Sequence, residues 1–340
     1  MHLSISTLFH RNDKRGFSLP AGAPQVLALV CVLIINSIVA DNFFSIELQD
    51  GRLFGSVIDI LNRCAPVALL SIGMTLVIAT GGIDLSVGAV MAISGATMAS
   101  MAASGNYGIS TILAMALVSG VLCGVWNGFL VAILKIQPIV ATLILMVAGR
   151  GVAQLITEGQ IITFNNDTLG WIGSGSFLTF PTPVMITIVA AIFIGLLTQK
   201  TALGLFITSV GINLRAAKNA GVNTTAVVMS TYVISGLMAA IAGIIVAADI
   251  RGADANNAGL WLEMDAILAV VIGGTSLMGG RFHLFLAIVG TLIIQGVNTG
   301  ILLSGYQPQW NQIVKAVVVL TVLVLQSPAV INRIKQGVKR

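Results

Sequence analysis

The chain has 340 residues, of which 56% are hydrophobic and only 9% are Asp, Glu, Lys or Arg. Soluble chains carry roughly 25% charged residues, so this one has too little charge to cover a globular surface in water, and a lipid bilayer must surround most of it. The 17 Lys and Arg against 12 Asp and Glu give a net charge of +5, but the basic residues sit at the ends of apolar runs, which excludes nucleic acid as a partner.

Runs of about 20 apolar residues, the length a helix needs to cross hydrocarbon, fall in chain order at 24–41, 64–80, 85–104, 109–134, 138–157, 182–199, 224–248, 266–280, 283–303 and 311–331. The expected fold is therefore all-α, a polytopic integral membrane protein of about ten transmembrane helices. A tail at 1–23 precedes the membrane domain at 24–331, and a second tail at 332–340 follows it. The second and eighth runs meet glycine-rich stretches that release a helix, so eight spans plus two re-entrant segments is the alternative. Lys and Arg concentrate on cytoplasmic loops. With the N-terminus inside, twelve of them (from Arg11, Lys14 and Arg15 through Lys135, Lys200, Arg215, Lys218 and Arg281 to Arg333, Lys335, Lys339 and Arg340) fall inside and three (Arg52, Arg63 and Arg251) outside. Both termini are expected in the cytoplasm, and the outer face is acidic. The basic N-terminus resembles a signal peptide, but Ile38-Val39-Ala40 lacks the small residue wanted before a cleavage point, so the first span is expected to stay uncleaved.

Cys31, Cys64 and Cys123 lie singly in apolar runs, which supports neither a disulfide framework nor a metal site. Polar groups within spans mark either helix packing or a watered path. Gly81-Gly82-Ile83-Asp84-Leu85-Ser86-Val87-Gly88 is the most irregular stretch. Two glycines release one helix, Asp84 and Ser86 are placed to cap the next, and Gly88 permits close packing. A similar rhythm recurs from Gly273-Gly274 to Gly279-Gly280 and hints at an internal repeat. Gly120, Gly124 and Gly128, and again Gly296 and Gly300, recur every fourth residue and let helix backbones approach. Trp126, Asn127 and Asn298 accompany them, and carboxamides on close helices suit a polyol pathway. Arg150, with Gln154 one turn on, is either bound to Glu158 or a loop carbonyl, or belongs to the substrate path. Lys315, five residues into the last span, reads as an interface anchor.

The one substantial inner loop is too polar to span. Its alanine-rich pattern, with Arg215 and Lys218 on a polar side and Gly221 as a stop, predicts a short surface helix able to dock into another protein. No Gly-x-x-x-x-Gly-Lys-Ser/Thr stretch is present, so the chain does not cradle ATP. His2, His10 and His283 form no catalytic or metal set. The chain is expected to be no enzyme and to need no cofactor.

Three motifs, Gly81–Gly88, the Val210–Gly221 loop and Gly273-Gly274 through Gly279-Gly280, in this order and at this spacing, resemble the permease subunits of bacterial sugar-importing ABC transporters of the ribose, xylose and galactose subfamily, over about residues 25 to 330. The stretches Asp50–Gly55, Lys135–Ala153 and Ala248–Gly259 look closest to its galactofuranose-importing members. The resemblance implies a multi-pass protein of the inner membrane that moves galactofuranose or a related pentose or hexose inward. It implies a cytoplasmic ATP-binding subunit, a periplasmic sugar-binding protein and a second permease subunit as partners. Residues 204–221 would be the coupling segment gripped by the ATPase, through Gly204, Gly211, Asn213, Arg215, Ala216, Ala217, Lys218, Ala220 and Gly221. Leu205-Phe206-Ile207 is more apolar than the Arg-containing stretch common there, and the 249–265 loop is a candidate docking surface for the binding protein. Asp84, Ser86, Trp126, Asn127, Arg150, Gln154 and Asn298 are the expected substrate-path residues. An ion-coupled secondary sugar transporter is the rival reading. It needs buried ionisable groups, and only Asp84 and Arg150 offer themselves.

Overall fold

The computed structural model describes residues 22–49, 51–307 and 309–326. Most of the expected tail at 1–23, all of that at 332–340, the end of the tenth run and the terminal basic residues lie outside the described residues. Each of the ten apolar runs contains a helix: α1 (Ala23–Val39), α2 (Ser56–Ala79), α3 (Val87–Ser104), α4 (Ile109–Gly128), α5 (Pro138–Ile156), α7 (Thr182–Lys200), α10 (Thr224–Asp249), α11 (Leu262–Ile272), α12 (Leu284–Leu303) and α13 (Trp310–Gln326). The last turn of α4 widens into a π-helix at Phe129–Ile133. Seven helices (α2, α3, α4 with its π turn, α5, α7, α10 and α12) are long and apolar enough to cross a membrane. Three further helices lie between the spans: α6 (Asp167–Ser174), α8 (Ala202–Ile212) and α9 (Leu214–Asn219).

Two of the ten runs are corrected. The second helix starts at Ser56, not residue 64, because the polar residues Asp59, Asn62 and Arg63 are helical too. The eighth is only half a helix. Its α11 stops at Gly273, while the residues before it, Asp254–Trp261, are irregular yet lie among the spans, with Gly259 backed directly onto Gly88 at the start of α3.

α10 is the central post. It packs chiefly on α4, α2 and α3, and from Cys64 to Ala79 α2 is enclosed on nearly every side. A helix apolar all round is stable only in such a place or in lipid. The α4–α10 seam is made of small residues: a Cβ on Gly120 would overlap Ala240, one on Gly124 the backbone at Tyr232 and Val233, and one on Gly236 the backbone of Gly120 and Gly124. The glycine spacing thus serves packing, as expected. Gly296 and Gly300 do the same for α1, where Asn36 donates from Nδ2 to the Gly296 carbonyl at 2.8 Å. Ser94 of α3 donates to carbonyls of both α4 (Ala116, 2.9 Å) and α10 (Ala240, 3.1 Å). Apolar faces of α1, α4 and α5 stay uncovered, including Ile34, Leu122, Val147 and Leu155.

Three short antiparallel ladders cover the loops. β1 (Glu47–Gln49) pairs with β2 (Arg52–Phe54), β3 (Ile162–Thr163) with β6 (Gly252–Ala253), and β4 (Ser176–Phe177) with β5 (Phe180–Pro181). The first and last are joined by Leu53 N–H to the Thr179 carbonyl at 3.1 Å.

Candidate functional site

The irregular turn between α2 and α3 folds into a closed polar knot. α2 ends in a Schellman geometry: Gly81 has φ +85°, its N–H donates to the Ile78 carbonyl, and the Gly82 N–H donates to that of Val77. Asp84, 2% exposed, then accepts at Oδ1 from the Ser86 N–H (3.0 Å) and hydroxyl (2.6 Å), and at Oδ2 from the Ser235 hydroxyl of α10 (2.8 Å). Asn127 of α4 donates from Nδ2 to the Ser86 hydroxyl at 2.8 Å. Neither Asp84 nor Ser86 caps α3, contrary to the expectation, because both are drawn sideways into these bonds. Gly73 is needed for Ser235 to approach, since a Cβ there would meet the Ser235 backbone at 2.8 Å.

No cation pairs with Asp84 among the described residues, so its part here is that of a hydrogen-bond acceptor. Asp84→Asn, which keeps an oxygen, is therefore expected to lower the thermal stability of the detergent-purified protein far less than Asp84→Ala. The alanine leaves buried hydroxyls unpartnered, at about 1–3 kcal/mol each. Equal losses would show that the charge itself matters.

Arg150 and Gln154 of α5 serve the irregular stretch that precedes α11. Arg150 donates from Nη1 to the carbonyls of Ala255 (3.1 Å) and Ala258, and Gln154 donates from Nε2 to Asn256 Oδ1 at 2.7 Å. Non-helical backbone packed among spans needs such partners, and Arg150 meets the loop carbonyls named among its alternatives. Asp254 closes the turn by accepting from Asn257 Nδ2 at 2.7 Å and from the Asn256 N–H at 3.0 Å. The 249–265 stretch is thus partly tucked in: Ala253, Ala255, Glu263 and Asp265 are buried, while Asn256, Leu260 and Trp261 remain exposed. Trp126 faces outward from the bundle, 49% exposed.

The segment expected as one surface helix is two, α8 and α9. Asn213 ends α8 and starts α9, its Oδ1 accepting from the Ala216 N–H at 3.0 Å. Gly221 (φ +87°) closes α9 in another Schellman turn, with N–H bonds from Gly221 to the Lys218 carbonyl and from Val222 to that of Ala217. Arg215, Ala216, Lys218, Ala220 and Gly221 are exposed, while Ala217 turns inward. Gly204 and Gly211 are packing positions. A Cβ on Gly204 would overlap the Thr198 carbonyl, and one on Gly211 the Ala79 carbonyl and the Gly280 backbone. The Gly280 N–H itself donates to the Ala79 carbonyl at 2.9 Å, and Gly279 lies against Gly81 and Gly211. The three glycine-bearing motifs therefore meet backbone to backbone. α11 ends in a Schellman turn as α2 and α9 do, with a left-handed Gly274 (φ +82°) and N–H bonds from Gly274 and Thr275 to Val271 and Val270.

Where α2, α10, α11 and α12 diverge, toward α6 and α7, they leave a cavity of about 220 Å³ that includes Asn298. The other six expected path residues do not line it: Asp84, Ser86 and Asn127 sit in the knot, Arg150 and Gln154 on the loop, and Trp126 outside. Its remaining polar lining, Asn62, Arg63, Asp249, Asp265 and Gln295, was missed because those residues stand on four helices distant in the chain. Lys315 is not an interface anchor. It binds Asp265 through both carboxylate oxygens at 2.9 and 2.8 Å, and the two side chains are 15% and 12% exposed.

A helical bundle of this make, with irregular segments anchored at membrane depth and a polar cavity between its spans, is a transport permease. Residues 56–323 match the family described as the branched-chain amino acid transport system / permease component. The chain is 70% identical to a galactofuranose transporter permease of Escherichia coli, covering 95% of this chain and 94% of that one. It is 39% identical to a fructose import permease of Bifidobacterium longum (91% and 88% covered) and 36% identical to a ribose import permease of Escherichia coli (89% and 92%). The chain belongs to this permease family. It is a multi-pass inner-membrane subunit of an ABC importer, is not itself an enzyme, and leaves ATP hydrolysis to a separate subunit.

Proposed function

We propose that this subunit carries a monosaccharide, galactofuranose before other pentoses and hexoses, from periplasm to cytoplasm. The observation that carries the reading is near full-length 70% identity to a permease named for that sugar. The chemistry agrees, because the cavity offers the carboxamides of Asn62, Gln295 and Asn298, with Arg63 and Asp249 in its lining and Asp265 neutralised by Lys315. Both termini are cytoplasmic in this reading. A second permease subunit, a copy or a relative, completes the pathway. The binding protein docks on the exposed parts of the outer loops, and residues 204–221 meet the ATP-binding subunit through Arg215, Ala216, Lys218 and Ala220. Access alternates as ATP closes the paired ATPases. The ion-coupled alternative is disfavoured, because Asp84 is sealed in a knot of hydroxyls and Arg150 is occupied by loop carbonyls.

Proteoliposomes holding the full complex are expected to accumulate galactofuranose only with ATP inside and loaded binding protein outside. Accumulation by this chain alone on an ion gradient would refute the reading.

A further inference from the structure

The turn between α11 and α12 is closed by its own bonds. The Ser276 N–H donates to the Arg281 carbonyl (3.3 Å), the Gly279 N–H to the Ser276 carbonyl (3.0 Å) and the His283 N–H to Thr275 Oγ1 (3.3 Å). Gly279 and Gly280 are both left-handed, with φ of +84° and +80°, a pair of conformations that only glycine adopts freely. The turn is also pinned to its neighbours. The Gly280 N–H reaches the Ala79 carbonyl at 2.9 Å, and a Cβ on Gly280 would meet Ile212 Cγ1 at 2.6 Å. This fixed frame holds Met278 away from the rest of the subunit. At 87% exposure it is the most exposed large apolar side chain among the described residues.

Other apolar groups stand beside it. Ile212, the last residue of α8, is 72% exposed, and Leu214 at the start of α9 is exposed too. All three lie where helices end, not along the length of a span. Arg215, Lys218 and Arg281 are exposed on the same segments and form no ion pair among the described residues. Residues 200–223 and 273–283 contain no Asp or Glu. Apolar side chains that a hydrogen-bonded frame keeps exposed mark an interaction surface, and methionine adapts well to a partner's shape. The neighbouring residues say which partner. Ile212 and Leu214 run directly into Arg215–Ala220, the stretch proposed above to meet the ATP-binding subunit, and Gly280 packs on Ile212. A partner seated on α9 therefore lies against the turn as well.

We infer that the α11–α12 turn is a second contact for the ATP-binding subunit: Met278, Ile212 and Leu214 form an apolar prong that enters a cleft of that subunit, and Arg215, Lys218 and Arg281 meet carboxylates on its rim. The inference rests on the reading of residues 204–221 as the coupling segment and adds to it a second segment and the chemistry of the surface it fits. The apolar contact supplies affinity, and the charges set orientation. Since the Gly280–Ala79 bond ties the turn to the end of α2, movement of the ATP-binding subunit would reach α2, α8 and α12 together and not through α9 alone.

The test uses the full complex in membranes, with the photoreactive residue p-benzoylphenylalanine placed in separate variants at Met278, at Ala216 and, on the uncovered apolar face of α5, at Leu155. Illumination is expected to join the first two to the ATP-binding subunit and the third to lipid alone. An adduct at Ala216 with none at Met278 would overturn the second contact and leave the coupling segment standing; no adduct at either would overturn both. An adduct of phospholipid alone at Met278 would make the turn a membrane anchor and refute the inference. A second measurement does not depend on the probe. Met278→Asp sets a carboxylate against an acidic rim, and is expected to lower the ATP-binding subunit recovered with tagged permease about fivefold or more. Permease abundance in the membrane should not change, because the side chain is almost wholly exposed in its own subunit. Met278→Leu is expected to keep recovery near that of the wild type. Equal recovery for Met278→Asp and the wild type would count against the prong.

Discussion

Gly211→Ala is expected to reduce ATP-driven uptake at least tenfold while the protein still reaches the membrane, and to leave the ATPase rate insensitive to loaded binding protein. The added methyl has no room: it would overlap the Ala79 carbonyl and the Gly280 backbone, neither of which can rotate away. Overpacking of this kind costs about 1–3 kcal/mol, taken here from a junction where the α2–α3 turn, the α11–α12 turn and α8 touch. Gly221→Ala makes the contrast. Nothing lies within 4 Å of the Cβ it would add, so only the left-handed φ of +87° is strained, a penalty of about 1–2 kcal/mol confined to the end of α9. Uptake, ATPase rate and membrane abundance measured for both variants decide the matter. Intact coupling in Gly211→Ala would remove the junction from the mechanism.

Breaking the Lys315–Asp265 pair is expected to have the second large effect. Removing one partner from a buried, doubly bonded ion pair strands the other charge and costs about 3–5 kcal/mol. With 12–15% of each side chain still exposed and a cavity beside Asp265, the lower end applies. Lys315→Met should therefore lower the thermal unfolding midpoint of the purified protein by several degrees. The double variant Lys315→Met/Asp265→Leu should recover most of that loss, because an apolar pair suits the site nearly as well. A double variant no more stable than the single one would show that the pair is not the source of the loss.

The helices were largely legible because hydropathy is a local signal, and so was the packing use of Gly120, Gly124 and Gly128. What escaped depends on neighbours far along the chain. Helix α2 was started eight residues late because Asp59, Asn62 and Arg63 lower the hydropathy without stopping a helix. The irregular stretch Asp254–Trp261 precedes the eighth run, and nothing in it announces that Arg150, more than a hundred residues earlier, satisfies its carbonyls. Lys315 looked like an interfacial side chain because Asp265 lies 50 residues away. The candidate path was the least legible part. Single polar residues in spans carry no mark that separates a knot such as Asp84–Ser86–Ser235 from a lining residue such as Asn298.

α10 begins three residues after Gly221 and ends at Asp249 on the cavity wall. Its 26 residues make a rod about 39 Å long at 1.5 Å each. The rod has no proline to bend it, and its seam with α4 is nearly all backbone, with little side chain to absorb strain. A tilt of about two to three degrees imposed at Thr224 would therefore arrive at Asp249 as a sideways shift of about one to two ångströms, which follows from the rod's length. One unbroken helix of this polypeptide thus joins the Gly221 turn to the cavity wall.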